Sequence, residues 1–383
     1  MKHNYLIIKP PLIIVISVLL CISCNTTFYS KKSIYNSELQ SVLDSELIEN
    51  IPGILVNITS TDNNISWNGA SGFSDKDKKA KLLPNQTFRI ASVTKTFVAA
   101  TILRLWEDKK LSLDDPITKY ISEEHNDILK NGGYNPDKIY IRHLLTHSSG
   151  LSEHTNSDKY KIEFMRTRHV WTRTEQINDL VTYTKPIGAI NEQFSYSDTG
   201  YILLGEIIEK ITGKSMGDAI LEQLQLKKLG IKDTYMEDFK VDSTGRRIHQ
   251  YIENVDTYYF HPSFDYYGGG GLLSTTSDLS CFYQSLFHHK IFHNRATLDT
   301  MLAPIKYKTG QQAMDYRMGI WKIEVDGMTA YTHSGFWGTQ VVYIPEINTA
   351  ISVNYNQRWT KKGIAPIIPK ILLKIKKKNY KKL

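Results

Sequence analysis

Apolar positions recur with two different periods along the chain, and the periods change twice. Residues 54–58 and 65–69 are short apolar or alternating runs separated by Asp62-Asn63-Asn64, which predicts two antiparallel strands around a turn. Before them, residues 38–49 place Leu39, Val42, Leu43 and Leu47 on one side of a helix. From Thr96 to about Leu302 the spacing is mostly helical. Phe97, Ala100, Leu103 and Trp106 mark one helix, and residues 201–211 mark another that stops at Gly213 before a new start at Ser215. Gly268 to Gly271 reads as a flexible joint, and Ser274 to Asp278 as the cap of a helix running through Leu286. Strand signals return at 319–325, 329–332, 340–344 and 350–355, with turns at Asp326-Gly327 and Pro345 to Asn348, and a terminal helix begins near Ile364. Strands at both ends of a helical middle predict an α/β (α+β) fold. One antiparallel sheet is drawn from about 38–95 and 310–383, flanked by helices, with a mostly helical lobe, about 96–309, inserted.

Composition is that of an ordinary globular chain, without internal repeats, and 383 residues suffice for a full core. The first 23 residues differ. Lys2 and Lys9 precede an apolar run over 12–23 that is too short to span a bilayer, as in an export signal. The run ends Leu20-Cys21-Ile22-Ser23-Cys24, similar to a bacterial lipoprotein cleavage site, with Cys21 where leucine is usual. That similarity implies a lipidated Cys24 as the mature N-terminus, a tether over 24–37, and a membrane lipoprotein of the cell envelope. Plain secretion with cleavage nearby is the alternative. Cys281 is then the one remaining thiol and reads as a buried one; without lipidation, a Cys24–Cys281 disulfide becomes possible. Of the net charge of +8, two charges lie in residues 1–23 and seven in 370–382, leaving −1 for residues 24–369. A nucleic-acid-binding surface spread over the fold is thereby excluded. The lysine-rich tail reads as a solvated helix end, with contact to anionic lipid or wall polymer as the second reading.

Chemistry enters at Ser92-Val93-Thr94-Lys95, placed where an extended run gives way to a buried helix. A serine in the first helical turn has a lysine three residues on above the same face. The helix N-terminus and a desolvated lysine both favour alkoxide character. Alone, the spacing also describes an N-cap serine and a solvated lysine. Two further clusters supply what a nucleophile needs: Tyr196-Ser197-Asp198 in a loop before a helix, and His333-Ser334-Gly335 at a strand edge. Ser-x-x-Lys, Tyr-Ser-Asp and His-Ser-Gly in this order resemble the serine β-lactamase and penicillin-binding superfamily. The pattern is most similar to its class C β-lactamase, D-alanyl-D-alanine carboxypeptidase and esterase branch. Residues 141–151, 200–205 and 269–275 fit that branch too, and the resemblance covers about 38–375.

The resemblance implies a covalent acyl-enzyme on Ser92, with Lys95 and Tyr196 sharing the general-base role. It also implies an oxyanion hole from the backbone N–H groups of Ser92 and Phe336, and substrate contacts at Asp198, His333, Ser334 and Gly335. An unperturbed tyrosine is a poor base at neutral pH, so neighbouring cations, Lys95 and His333, are expected to lower Tyr196, and Lys95 to be kept partly neutral. Asp198 stands where class C enzymes carry asparagine and His333 where most carry lysine. A carboxylate cannot donate to an acyl-amide carbonyl, and a histidine partly charged at neutral pH gives a pH-dependent grip on a substrate carboxylate. Both features favour acyl transfer over efficient β-lactam hydrolysis.

Other candidates carry less. His143 and His147, four apart, lack the carboxylate of a His-Glu-x-x-His zinc motif and read as structural histidines, and Asp114-Asp115-Pro116 reads as a helix start. Gly213-Lys214-Ser215-Met216-Gly217 spells Gly-x-Ser-x-Gly but joins two helical runs, not the strand-to-helix elbow of an α/β-hydrolase. The aromatic run from Tyr258 to Tyr267 reads equally as pocket lining or as packing. The expected protein is an exported serine hydrolase of a small amide or ester: a D-amino-acid wall peptide, a β-lactam or an acyl ester. It needs neither metal nor organic cofactor, and binds no nucleic acid. The alternative is a non-catalytic penicillin-binding-like module that recognises wall peptides or a protein partner.

Overall fold

The computed structural model describes residues 35–48, 50–166, 168–237, 246–307, 315–358 and 364–380. The expected signal segment, tether and Cys24 lie outside the described residues. A first helix, α1 (35–45), leads into strands β1 (Gly53–Ser60) and β2 (Ile65–Gly72). The chain returns to the same sheet only at β8 (Trp321–Val325), β9 (Met328–Gly335), β10 (Thr339–Ile344) and β11 (Thr349–Tyr355). The six strands lie in the order β2-β1-β11-β10-β9-β8, every pair antiparallel. The N- and C-terminal parts meet where β1 pairs β11, with Val56 opposite Val353. The α+β class and the sheet built from both chain ends agree with the sequence reading.

Side-chain parity explains the layers. β1 and β10 are buried on both faces, which requires cover on both sides. Ile54, Val56, Ile58, Val342 and Ile344 share one core with Leu39 and Leu43 of α1 and with Ile367, Ile368, Ile371, Leu372 and Ile375 of the last helix, α11 (Ile367–Tyr380). Leu55, Val341 and Tyr343, one residue out of phase, face the second core with α2 (Thr94–Glu107) and α9 (Thr276–Phe287). The tail is therefore not merely solvated: α11 is docked, and its Lys370, Lys374 and Lys376 pair with Glu46, Glu38 and Asp326.

Twelve residues of α2, Thr94 to Leu105, are buried, so it is the central helix of the lobe. Against it pack α7 (Asp198–Thr212), α8 (Met216–Gln223) and α10 (Arg295–Leu302); α4 (Ile141–Leu145) and α6 (Arg173–Tyr183) pack on α7, α3 (Glu123–Asn131) packs on α6, and α5 spans Asp158–Phe164. The expected helix at Asp114-Asp115-Pro116 is only a single 3-10 turn, Ile117–Lys119. The Asp115 carboxylate is occupied by Ser112 N–H, Lys119 and Tyr120. A small sheet of β3 (Phe88–Arg89), β7 (Leu272–Ser274) and β4 (Tyr235–Met236) ties the start of α2 to the glycine joint. Beneath it, Arg89 reaches Glu237 in a bidentate pair at 2.7 and 2.9 Å, and Arg247 meets the same carboxylate at 2.7 Å, all buried.

Candidate active site

Ser92 sits in a 3-10 turn, Ala91–Val93, that runs directly into α2. The extended run expected over 87–91 is shorter, because Ala91 adopts φ +46°, a left-handed conformation that bends the chain just before Ser92. One turn on, Lys95 is fully buried, with Nζ 3.1 Å from Ser92 Oγ, 2.5 Å from Gly269 O and 2.5 Å from Asp198 Oδ1. The N-cap of α7 is Ser197, whose Oγ donates to Ser152 O at 2.6 Å and accepts Gly200 N–H at 3.4 Å. This cap points Asp198 toward Lys95 and carries Tyr196, whose ring centroid lies 5.0 Å from Lys95 Nζ. Lys95 and Ser92 both act on the Tyr196 hydroxyl to favour its ionised form.

The third cluster arrives on β9. Gly335 passes so close to the nucleophile turn that a Cβ there would lie 2.2 Å from Ile90 O and 3.3 Å from Ala91 Cβ. His333 is buried on this strand, Ser334 is exposed, and Phe336 opens the turn that follows, 38% exposed. The structure thus brings Ser92, Lys95, Tyr196, Asp198 and the strand from His333 to Phe336 to one place. The chain matches the family Beta-lactamase over residues 43–365.

The chain belongs to the beta-lactamase family.

It is 27% identical over 294 residues to penicillin-binding protein 4* of Bacillus subtilis strain 168, covering 71% of this chain and 60% of that protein. The chain thus spans less than two thirds of that curated relative. A D-stereospecific amidohydrolase from Streptomyces sp. superposes with a TM-score of 0.73 at 22% identity, over 85% of this chain and 95% of that one. D-amino acid amidase from Ochrobactrum anthropi SV3, complexed with D-phenylalanine, gives 0.74 at 21% identity, over 91% and 99%. These two likenesses establish the fold. Among the described residues no helix is long and apolar enough to cross a membrane, and no group of acidic, histidine and cysteine side chains could hold a metal.

Electrostatically, this family member departs from what its sequence suggests. Burial opposes charge on Lys95, but Asp198 and Tyr196 outweigh it and hold the ammonium above the ordinary lysine range. Lys95 is therefore not kept neutral by cations: its charged neighbour is an anion, in hydrogen-bond contact. Tyr196 is pushed up to about 12, by burial first; Lys95 pulls down, and Asp198 pushes up again. Burial and Glu153 also raise the Asp198 carboxyl, which Lys95 only partly offsets. The expected lowering of Tyr196 is overturned because desolvation of the phenolate exceeds the attraction of one paired cation.

His333 is overturned as a partly charged group as well. Burial and then Lys95 push it down to about 3, while its Nδ1–H donates to Ser334 O at 2.9 Å. Its Nε2 faces Tyr316 OH at 3.3 Å, so it is a neutral strand-edge group and no tuner of Tyr196.

Sequence reasoning passed over His147, read as structural. Its Nδ1 accepts Ser197 N–H at 3.1 Å, its carbonyl accepts Ser195 N–H at 2.8 Å, and its ring packs 4.2 Å from the Tyr196 ring. His147 brackets Tyr196 on three sides, a role that no spacing within the Thr146-His147-Ser148 phrase reveals. His143, by contrast, lies at the start of α4, where its Nδ1 accepts Tyr140 N–H at 3.0 Å. Gly269, taken as part of a joint, supplies a carbonyl to Lys95. Glu153, absent from the sequence reading, accepts Asp198 N–H at 2.5 Å.

Proposed function

We propose that this chain is a serine hydrolase that forms an acyl-enzyme at Ser92 from a small amide or ester. The single observation that carries the reading is the contact of Ser92 Oγ with the buried Lys95 at 3.1 Å. Ser92 Oγ attacks the substrate carbonyl carbon. Its proton passes through Lys95 and Tyr196 to the departing amine or alcohol, so that a C–O bond forms as the C–N or C–O bond of the substrate breaks. The N–H groups of Ser92 and Phe336 are the proposed donors to the oxyanion; each such donor contributes about 10²–10³ in rate. Water then attacks the acyl carbonyl; as its C–O bond forms and the ester bond to Ser92 breaks, a proton from the water passes through the same pair to Ser92 Oγ.

The resting protonation state sets a condition on this cycle. Lys95 is an ammonium and Tyr196 a neutral phenol, so the competent form has lost one proton from the pair, and rate rises with pH. Asp198 in place of an amide donor favours amides and esters other than β-lactams. The names of the amidohydrolase, the amidase and the penicillin-binding relative support a D-amino-acid amide or wall-derived peptide as substrate. The export signal and Cys24 support placement in the cell envelope on a lipid anchor.

The test is intact-protein mass after incubation with a fluorophosphonate, a fluorescent penicillin and a p-nitrophenyl ester, beside Ser92→Ala. An adduct mapped to Ser92 and lost in the variant is the expected result. No adduct with any of the three reagents would sink the reading in favour of a non-catalytic binding module. A diacylglyceryl mass on the mature N-terminus tests the anchor separately.

A further inference from the structure

Next to the Lys95–Asp198 pair lies a small cleft lined by His154, Tyr160, Gln176, Asp198, Phe264 and Asp265, with room for about one water- or ammonium-sized group. The polar side chains that line it present acceptors. Gln176 is fully buried; its Nε2 donates to Phe264 O at 2.8 Å, which leaves Oε1 a buried acceptor with no partner. His154 is 1% exposed and holds its Nδ1 at 2.9 Å from Thr199 Oγ1 and 3.2 Å from Glu153 Oε1. The carboxylate demands the proton on Nδ1, so in this tautomer Nε2 is a lone pair, again buried and without a partner. The Tyr160 hydroxyl is turned to Phe264 O at 3.5 Å.

Two carboxylates, Asp198 and Asp265, complete the wall. Burial, with Asp198 beside it, pushes the Asp265 carboxyl up to about 7, as expected of a carboxylate lacking a close counter-charge. Lys95 and Arg89 offset this only in part. Unsatisfied buried acceptors are unfavourable, and the two residues that carry them, Gln176 and His154, line one space together with two carboxylates and aromatic rings. A carbonyl or carboxylate placed there would be repelled. Water offers two donors and no charge. A primary ammonium offers three donors, a positive charge for the carboxylates and a cation for the rings of Tyr160 and Phe264. Asp198 belongs both to this cleft and to the pair that holds Lys95 against Ser92, so an occupant sits beside the reacting centre.

We propose that the cleft binds a primary ammonium of the acyl-donor substrate, the α- or an ω-ammonium of an aminoacyl amide or ester, and so selects free amines over N-acylated substrates. This inference rests on Ser92 acylation as proposed above. Charge-assisted hydrogen bonds to two carboxylates, formed on binding, place the selectivity chiefly in KM.

The experiment uses achiral p-nitroanilides, so that stereochemistry does not enter: glycyl, N-acetylglycyl, 6-aminohexanoyl and hexanoyl. The same compounds compete with a fluorophosphonate for Ser92, a readout that needs no turnover. At least one ammonium-bearing member is expected to exceed its neutral counterpart by about thirtyfold or more. The glycyl pair reports an α-ammonium and the hexanoyl pair an ω-ammonium. Asp265→Asn is expected to shrink that ratio by about tenfold, and Gln176→Met by about threefold. Equal treatment of amines and their neutral counterparts in both pairs, or a ratio untouched by Asp265→Asn, overturns the ammonium site while Ser92 labelling still stands. Absence of Ser92 labelling overturns both proposals together.

Discussion

Lys95 and Asp198 form an ion pair at 2.5 Å, the lysine fully buried and the carboxylate 23% exposed. They come from the N-terminal turns of two different helices, and their charges set the protonation of everything around Ser92. A carboxylate at this distance makes a better cation of the lysine and therefore a worse base.

Removing that carboxylate is expected to move the activity profile. In Asp198→Asn the anion that raises Lys95 and Tyr196 is gone, both groups lose protons more readily, and the neutral base appears at lower pH. The rising limb of kcat/KM against pH should shift down by about one unit or more. An unshifted limb, measured with a p-nitrophenyl ester, would show that the pair does not carry the base.

His333 should be silent near neutrality. Its imidazole is neutral down to about pH 3 in the folded chain but titrates near 6.5 when unfolded, so the unfolded state binds more protons in that interval. Stability is present above about 6.5 and is lost as pH falls toward 3, at a cost of about 2 kcal/mol by pH 5. Thermal melts of His333→Gln against wild type should diverge at pH 7 and converge toward pH 5. Imidazole resonances of His333 that move between pH 5 and 8 would contradict this.

Gly335→Ala is expected to damage the site more than the fold. The new Cβ would collide with Ile90 O at 2.2 Å, and the relief available is to push strand and nucleophile turn apart. Overpacking of this kind costs about 1–3 kcal/mol, whereas a misplaced nucleophile loses about 10²-fold in rate. Melting temperature and fluorophosphonate labelling rate, measured together, separate the two effects. Labelling at the wild-type rate would argue against the close approach.

Glu237→Gln should be strongly destabilising. The carboxylate answers both Arg89 and Arg247, and its loss takes the shared anion from two buried guanidinium groups. Breaking such a buried pair costs about 3–5 kcal/mol. Urea unfolding monitored by tryptophan fluorescence gives the figure. A loss below about 1 kcal/mol would mean that water reaches the triad.

Much of this molecule is legible before it folds. Period-two runs at residues 54–58, 65–69, 340–344 and 350–355 and period-3.6 runs after Thr96 and Tyr201 announce strands and helices, because burial of one face or stripe is what such patterns are for. Thr275 announces a helix start for the same local reason, its oxygen answering a free N–H three residues ahead, whereas α7 begins at Asp198, capped by Ser197, three residues before the apolar period shows it. The order of the three motifs announces the family, since each reactive side chain keeps its place in the chain.

Charge state is another matter. Whether Lys95 is a base or a cation depends on Asp198, 103 positions away in the sequence and 2.5 Å away in space, and on how little water remains between them. His147, Glu153 and Gly269 take their roles the same way, each touching Tyr196, Asp198 or Lys95 across the fold. The unpartnered acceptors of Gln176 and His154 arise because α6 and the 3-10 turn His154–Asn156 close on each other. Elements follow from local periodicity and short-range hydrogen bonds, which the residues carry with them. Proton affinities and empty acceptors follow from desolvation and long-range pairing, which arise only when distant segments exclude water together.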